Sequence, residues 1–168
     1  MYAVVYRNEG PKPVGKSVNR VKQAARCAGL EIDVITLPVS ARTAAQAAQG
    51  LDCAVGQIAK SLLFEGAVTG ALKLVLVSGA HDLNLDKAEA LFGEALERAD
   101  PKRVRRETGF AIGGVAPIDH LCEIETFMDR ALLQYASVWG AGGAPETVFE
   151  ITPAALLAAT GATLFDNA

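Results

Sequence analysis

The stretch VGQIAKSLLF, residues 55–64, places one lysine inside a run of apolar residues. Burial of an unpaired charge is costly, so Lys60 must either extend its ammonium to water or lie in a pocket that uses the charge. If the stretch is a strand, Lys60 shares a face with Ile58, Leu62 and Phe64. If it is a helix, Lys60 lies beside the apolar stripe as an ordinary solvated lysine. These ten residues leave both structures open.

The residues that follow favour the strand. The segment EGAVTG, residues 65–70, carries two glycines that suit a hairpin turn, and ALKLVLVSGA, residues 71–80, is a second apolar run. Two apolar runs joined by a short glycine-bearing connection are typical of a β-hairpin. We therefore expect residues 57–64 to form a strand and Lys60 to face inward.

The rest of the chain predicts helices and strands in mixed order. Helices are expected from Ser17 to Gly29, in SARTAAQAAQGL after Ser40 or Thr43, in NLDKAEALFG after Asn84 or Asp86, in ADPKRVRRETG after Asp100, and in TPAALLAATG after Thr152. Further strands are expected in EIDVITLP, in FAIGGVAP, on both sides of the glycine-rich turn in YASVWGAGGAPETVFEI, and in ATLFD. This order predicts one α/β or α+β domain, in which helices pack on a mixed sheet.

Composition limits the class of protein. The 168 residues suffice for one domain, and no stretch approaches 18 uncharged apolar residues. The first residues lack the pattern of a secretory signal, so a cytoplasmic location without membrane contact is expected. Three widely spaced cysteines, Cys27, Cys53 and Cys122, favour neither a disulfide framework nor a zinc site.

The net charge of −3 argues against a general nucleic-acid binder but leaves room for a local basic patch. Two segments are candidates. One contains Lys16, Arg20, Lys22 and Arg26, and the other contains Lys102, Arg103, Arg105 and Arg106. The alternative interpretation of both segments is the solvated face of a helix.

Familiar catalytic motifs give little support for a specific chemistry. GFAIGG fits a glycine-rich pattern, but no helix is expected after it to hold a phosphate. Ser78, His81 and Asp82 are triad residue types, yet neighbours on one loop rarely adopt triad geometry. What remains is Lys60 near the glycine-rich segments GGVAP and GAGGAP, whose backbone N–H groups could meet an oxyanion or a carbonyl. The residues alone thus indicate a pocket for a small molecule or an acyl group.

Four motifs in order, QIAKSLLF, SGA, TGFAIGGVAP and GAGG, give the sequence a resemblance to the YbaK and prolyl-tRNA synthetase-associated domain family. The resemblance runs from about residue 17 to residue 168 and leaves residues 1–16 as an N-terminal extension. It implies a single domain with a mixed, mostly antiparallel central sheet or partial barrel flanked by helices. It also implies a free-standing aminoacyl-tRNA deacylase that hydrolyses the ester of mischarged tRNA.

The resemblance also implies site residues. Lys60 is expected to be catalytic, either by anchoring the terminal adenosine or by placing positive charge near the ester. The substrate-binding residues implied are the GxxxP loop and its surroundings: Gly113, Gly114, Val115, Ala116, Pro117, Ser78, Gly79, Gly142, Gly143 and His120. No metal and no organic cofactor are implied. The expected partners are the acceptor end of mischarged tRNA, with tRNA for proline as the leading case, and prolyl-tRNA synthetase.

Two departures from the family pattern concern charge. The family often has Asn-Arg after SGA, where this chain has His81 and Asp82, and often has glycine before the histidine, where this chain has Asp119. Loss of a base beside the RNA path weakens attraction for phosphate.

Two other hypotheses stay open. One is a non-catalytic module of the same fold that binds tRNA or a synthetase. The other is a pocket for a free nucleotide or an aminoacyl-adenylate analogue. The amino acid removed, the tRNA and the oligomeric state are left open by the sequence.

Overall fold

The computed structural model describes residues 15–38 and 41–168. Its helices are α1 (Lys16–Cys27), α2 (Ala44–Leu51), α3 (Leu85–Phe92), α4 (Pro101–Thr108) and α5 (Pro153–Thr160), and 3₁₀ turns cover Val55–Gln57 and Arg130–Gln134. Its strands are β1 (Val34–Thr36), β2 (Ala59–Gly66), β3 (Leu72–Ser78), β4 (Leu96–Arg98), β5 (Glu125–Asp129), β6 (Val138–Ala141), β7 (Thr147–Ile151) and β8 (Thr163–Phe165).

Four of the helices begin at capping residues that the sequence predicts. The side chains of Thr43, Asn84, Asp100 and Thr152 each accept a hydrogen bond from a backbone N–H of the first turn. Such caps satisfy donors that the helix itself leaves free. Ser40, the other candidate cap of α2, and most of the expected extension 1–16 lie outside the described residues.

The β2–β3 hairpin is the centre of a five-stranded sheet with the order β4-β2-β3-β5-β8. Its antiparallel register runs from Ala59 opposite Ser78 to Glu65 opposite Leu72. The strand interpretation of the lysine stretch is therefore confirmed. β5 and β8 continue the sheet in parallel orientation, so the sheet is mixed.

The two faces of this sheet bury different elements, because successive strand residues point to opposite sides. Leu74 and Leu76 of β3 belong to the main core together with α1, α4 and α5. Val75 and Val77 face the other way and pack with Phe127 and with Phe92 of α3. Complete burial of such side chains contributes about 1.5–3 kcal/mol each to folding.

A second, three-stranded antiparallel sheet has the order β1-β7-β6. An isolated bridge between Ile58 and Trp139 joins it to the start of β2. Helix α2 covers this junction, where Ala47 and Ala48 pack with Ile58. The described strands thus form two sheets of a single α/β domain, mostly antiparallel in their pairings, and do not close into a barrel.

Two parts of the predicted element order are wrong. Residues 110–117 form a loop and not a strand, because Gly113 has φ +92° within a turn that the N–H of Gly114 closes by donating to the Ala111 carbonyl. The short strands β4 and β5 are absent from the prediction, and both depend on pairing with the hairpin. Among the described residues, none of the helices has the length and apolar character needed to cross a membrane.

Candidate functional site

A cavity of about 360 Å³ lies between the start of β2, the start of α2, the small sheet and the loop at residues 113–115. Its walls combine apolar, small and polar side chains from these four elements. The lining residues are Leu37, Ala41, Arg42, Thr43, Ala44, Ala47, Ile58, Ala59, Lys60, Ser61, Leu62, Gly113, Val115, Trp139, Gly140, Ala141, Glu146, Thr147 and Val148.

The cavity exists because one edge of β2 is only partly covered. β2 pairs with β3 over most of its length, but its pairing with β4 begins only at Phe64. Along residues 60–62, the edge opposite β3 pairs with no strand among the described residues. Backbone donors and acceptors on this edge can therefore contribute hydrogen bonds to a ligand.

Lys60 lies at this uncovered edge and is partly satisfied by the protein. Its Nζ donates to the carbonyl oxygen of His81 at 2.6 Å and lies 4.0 Å from Oδ1 of Asp82. The lysine side chain is 24% exposed, whereas Asp82 is fully exposed. An ammonium has three donors, so one carbonyl and a distant carboxylate leave capacity for a ligand.

Ser61, the next residue, also lines the cavity. Within the described part of the chain, its Oγ is the one buried side-chain N or O atom without a hydrogen-bond partner. Buried hydroxyl groups are normally paired, because an unpaired one loses its hydrogen bonds to water without replacement. The Ser61 hydroxyl is therefore a buried polar group beside the cavity, and the described part of the fold supplies no partner for it.

The loop from Gly113 to Pro117 forms the wall opposite β2. A Cβ on Gly114 would lie 2.5 Å from the carbonyl carbon of Ala144, so a glycine is required where these two backbones meet. The N–H of Gly114 is already bonded to Ala111. Gly113 and Val115 are the residues of this loop that line the cavity.

His120 supports this loop from outside the cavity wall. Its Nε2 donates to the carbonyl oxygen of Ala116 at 2.7 Å, and its ring packs edge-on against Phe110. Burial lowers the pKa of the His120 imidazole, so the neutral ring that makes this bond is favoured. The hydrogen bond from His120 to Ala116 thus holds the loop in place.

Ser78 and Gly79 lie behind Lys60 and not in the cavity wall. The Ser78 hydroxyl donates to the Gly56 carbonyl at 2.8 Å, and its N–H donates to Oδ2 of the buried Asp129 at 3.2 Å. The N–H of Gly79 donates to the Ile58 carbonyl at 2.7 Å. These bonds hold the end of β3 against the start of β2 and so position Lys60.

Gly142 and Gly143 occupy the turn between β6 and β7 and likewise lie outside the wall. The N–H of Gly142 donates to the Thr147 carbonyl at 2.8 Å. Gly143 is buried against the start of α1 and Phe110. The structure thus brings Lys60, Gly113 and Val115 together in one cavity, while the other predicted site residues surround it.

Asp119 has structural partners of its own. Its Oδ2 lies 3.1 Å from the Arg20 guanidinium, which also donates to the Asp119 carbonyl oxygen at 2.7 Å. Asp119 has φ +64°, a conformation in which glycine is the least strained residue. The acidic departure at this position is therefore neutralised by an arginine from α1.

The family model described as the aminoacyl-tRNA editing domain matches residues 39–159. The chain belongs to this family. The match includes the whole cavity wall except Leu37, and the predicted domain boundary after residue 16 stays a prediction.

The relatives agree with this assignment. YwhH of Bacillus subtilis, described as an uncharacterized protein, is 32% identical over 125 residues, which cover 73% of this chain and 78% of YwhH. A proline–tRNA ligase of Thermosipho melanesiensis is 30% identical over 61% of this chain, a match that spans only 18% of the ligase. A crystal structure of a proposed trans-editing enzyme for prolyl-tRNA synthetase is similar with a TM-score of 0.85 and 46% identity, covering 91% of this chain and 97% of that one.

Several residues that line the cavity of this editing domain were not singled out by the sequence. Trp139, Glu146 and Ser61 are examples. Ser61 follows Lys60 directly, and Trp139 precedes the GAGG segment, so adjacency to the motifs was the available signal. Among the described residues, no group of three or more His, Cys, Asp or Glu side chains is arranged to hold a metal ion.

Proposed function

We propose that this chain is a trans-editing aminoacyl-tRNA deacylase. It hydrolyses the ester that joins a wrong amino acid to tRNA, with tRNA for proline carrying alanine, cysteine or another small amino acid as the substrate class. The observation that carries the proposal is the position of Lys60. In a chain of the editing family, Lys60 lines a small cavity at the uncovered edge of β2, and its ammonium, bonded to the His81 carbonyl, keeps free donors.

The chemistry requires little of the protein beyond positioning. An aminoacyl ester is already activated, so a bound water can add to its carbonyl carbon once the ester is held in place. Negative charge then develops on the carbonyl oxygen. Backbone N–H groups of Gly113 and Val115 can stabilise this oxyanion. Collapse of the intermediate breaks the ester C–O bond and releases the amino acid and the tRNA 2′- or 3′-hydroxyl, which takes up the proton that the water loses.

Lys60 supplies the positive charge in this arrangement. When substrate binds, its ammonium contacts the terminal nucleotide or the developing oxyanion with the donors that His81 leaves free. Ser61 contributes the hydroxyl that otherwise lacks a partner. Hydrogen bonds to charge in a water-poor cavity are stronger than in bulk water, which makes both groups effective there.

The apolar part of the cavity wall includes several alanines. Ala44, Ala47, Ala59 and Ala141 contribute to the lining. An apolar wall discriminates a methylene group by only about 1–3 kcal/mol, so the preferred amino acid must be found by measurement.

The test is the release of amino acid from tRNA for proline charged with alanine, serine, cysteine or proline. We expect rapid hydrolysis of at least one mischarged member, sparing of the proline ester, and loss of activity in Lys60→Ala. Lys87→Ala, which removes an exposed lysine of α3 that does not line the cavity, is the matched control and should retain activity.

A panel in which no ester is hydrolysed above its spontaneous rate, while the folded protein still binds tRNA, would contradict the deacylase proposal. The non-catalytic binding module would then be the better account.

A further inference from the structure

A second cleft, of about 430 Å³, lies on the other side of the wall that closes the candidate site. It is bounded by the start of α1, the end of α4 and residues 143–145. Gly114 packs directly against Ala144 and Pro145, so the loop that borders the first cavity also borders this cleft. A strand of nucleic acid that leaves the cavity over this wall would enter the cleft.

The cleft concentrates positive charge in a chain whose net charge is −3. Lys16 and Arg20 of α1 and Arg105 of α4 line it, and none of its described lining residues is acidic. The two basic segments of the sequence, on α1 and α4, therefore meet at one place. This convergence depends on the packing of the two helices and is not visible in either segment alone.

The three cations have different environments. Arg20 is committed to the fold, since it binds Asp119 and lies over the Phe110 ring at 5.0 Å from its centroid. Lys16 and Arg105 are exposed at the cleft. Neither of the two forms an ion pair with a carboxylate among the described residues. They can thus bind an anion without first breaking a contact of the fold.

We propose that this cleft binds backbone phosphates of the tRNA acceptor end as it leaves the candidate site. The inference rests on the proposed function and adds a binding surface to it. A polyanion is the partner that exposed cations in a cleft without an acidic lining residue recognise best, because each contact releases condensed counterions. Arg20 holds the cleft in shape through its contacts with Asp119 and Phe110, while Lys16 and Arg105 contact phosphate.

The test compares two double variants with the same change in charge. Lys16→Glu/Arg105→Glu alters the cleft, and Lys87→Glu/Arg98→Glu reverses two exposed cations on α3 and β4. Binding of uncharged tRNA is measured by fluorescence anisotropy across a salt series. We expect the cleft variant to bind about tenfold more weakly at low salt and to lose about 1.5 from the slope of log K against log salt.

The control double variant, Lys87→Glu/Arg98→Glu, should retain most of the affinity for tRNA and most of the slope of log K against log salt. Equal effects of the two double variants would overturn the proposal, because they would reflect net charge alone. The neutral variant Lys16→Gln/Arg105→Gln guards against unfolding by charge reversal and should give a smaller loss in the same direction.

Kinetics separate this proposal from the proposed function. With aminoacyl-tRNA, the cleft variant should raise KM and leave kcat unchanged, and with an aminoacyl ester of the CCA trinucleotide it should behave as wild type. Loss of kcat on both substrates would overturn the phosphate role. If neither wild type nor any variant hydrolyses an ester, the proposed function fails. The tRNA-binding measurements across the salt series still decide whether the cleft binds RNA.

Discussion

Two lysines on the same hairpin differ sharply in their surroundings. Lys73 of β3 has a side chain that is 9% exposed, and its Nζ lies 2.8 Å from Glu125 and 3.7 Å from Glu94. The ammonium also lies 5.2 Å from the centroid of the Phe92 ring. Lys60 of β2 is more exposed and has one carbonyl and one distant carboxylate as partners.

The surroundings of the two side chains distinguish a structural lysine from a candidate functional one. Two carboxylates and an aromatic ring satisfy Lys73, so its charge is used within the fold. Lys60 lies in the wall of a cavity with donors to spare, and its neighbour Ser61 lacks a partner. Incomplete satisfaction at a concave surface is therefore the feature that distinguishes the two.

The strongest test of this comparison is Lys60→Met, which keeps the aliphatic stem and removes the charge. We expect kcat/KM for the mischarged substrate to fall by at least about 100-fold, because one electrostatic contact to the transition state is lost. The free energy of unfolding, measured with urea, should stay within about 0.5 kcal/mol of wild type. A marked loss of stability would show that the charge of Lys60, like that of Lys73, stabilises the fold.

The reciprocal variant is Lys73→Met. We expect it to lower the free energy of unfolding by about 1–3 kcal/mol, because Glu94 and Glu125 lose their cation. Urea unfolding measures this loss, and deacylase assays on the folded fraction should show activity per molecule near that of wild type. Unchanged stability would show that the ion pairs at Lys73 contribute nothing net.

Ser61→Ala tests whether the hydroxyl next to Lys60 binds substrate. Removal of a hydroxyl that has no partner in the free protein should leave stability unchanged or slightly increased. If the hydroxyl binds substrate, kcat/KM should fall about tenfold, which corresponds to the loss of one hydrogen bond. Full activity in this variant would show that the hydroxyl does not meet the substrate.

Asp82→Asn changes the second neighbour of Lys60. Because the carboxylate is fully exposed and 4.0 Å from Nζ, the effect should be small. We expect KM for aminoacyl-tRNA to fall about two- to threefold at low salt as repulsion of phosphate is relieved, and the difference should vanish at high salt. A difference that persists in high salt would point to a cause other than charge.

The last prediction concerns the Lys73 end of the hairpin, where the dependence of stability on pH appears in acid. The hydroxyl and N–H of Thr69, the Val68 N–H and Lys73 together lower the pKa of Glu94 from 4.5 to about 2. A carboxyl whose pKa is lower in the folded state stabilises the fold above its unfolded pKa, and this contribution is lost as pH falls.

The measurement is urea unfolding of wild type and Glu94→Gln between pH 6 and pH 2. Wild type should be the more stable protein above pH 4.5, and its advantage should shrink between pH 4.5 and about 2. An advantage that stays constant over this range would mean that Glu94 does not titrate as the contacts imply.

Local sequence signals predicted most of the fold. The hairpin at residues 59–78 and the caps at Thr43 and Asn84 follow from alternation and from short-range hydrogen bonding. The error at residues 110–117 arose because an apolar run with two glycines can be either a strand or a loop. β4 and β5 are absent from the prediction because both depend on pairing with the distant hairpin.

The candidate site was predictable only in part. The motifs pointed to Lys60 and to the loop at Gly113, and both line the cavity. Trp139 lies in a separate sheet and Glu146 in the turn between two of its strands, and the position of this sheet beside β2 depends on the bridge at Ile58. Contacts between distant segments of this kind have no local signature.

Residues close together in the chain were enough to indicate the family resemblance, the hairpin and the helix caps, and to single out Lys60 as a candidate. Only the tertiary structure decided which edge of β2 remains uncovered, that Ser61 lacks a partner, and that the basic residues of α1 and α4 meet in one cleft. The physical reason is that such features arise from packing between remote segments. No property of a single segment specifies them.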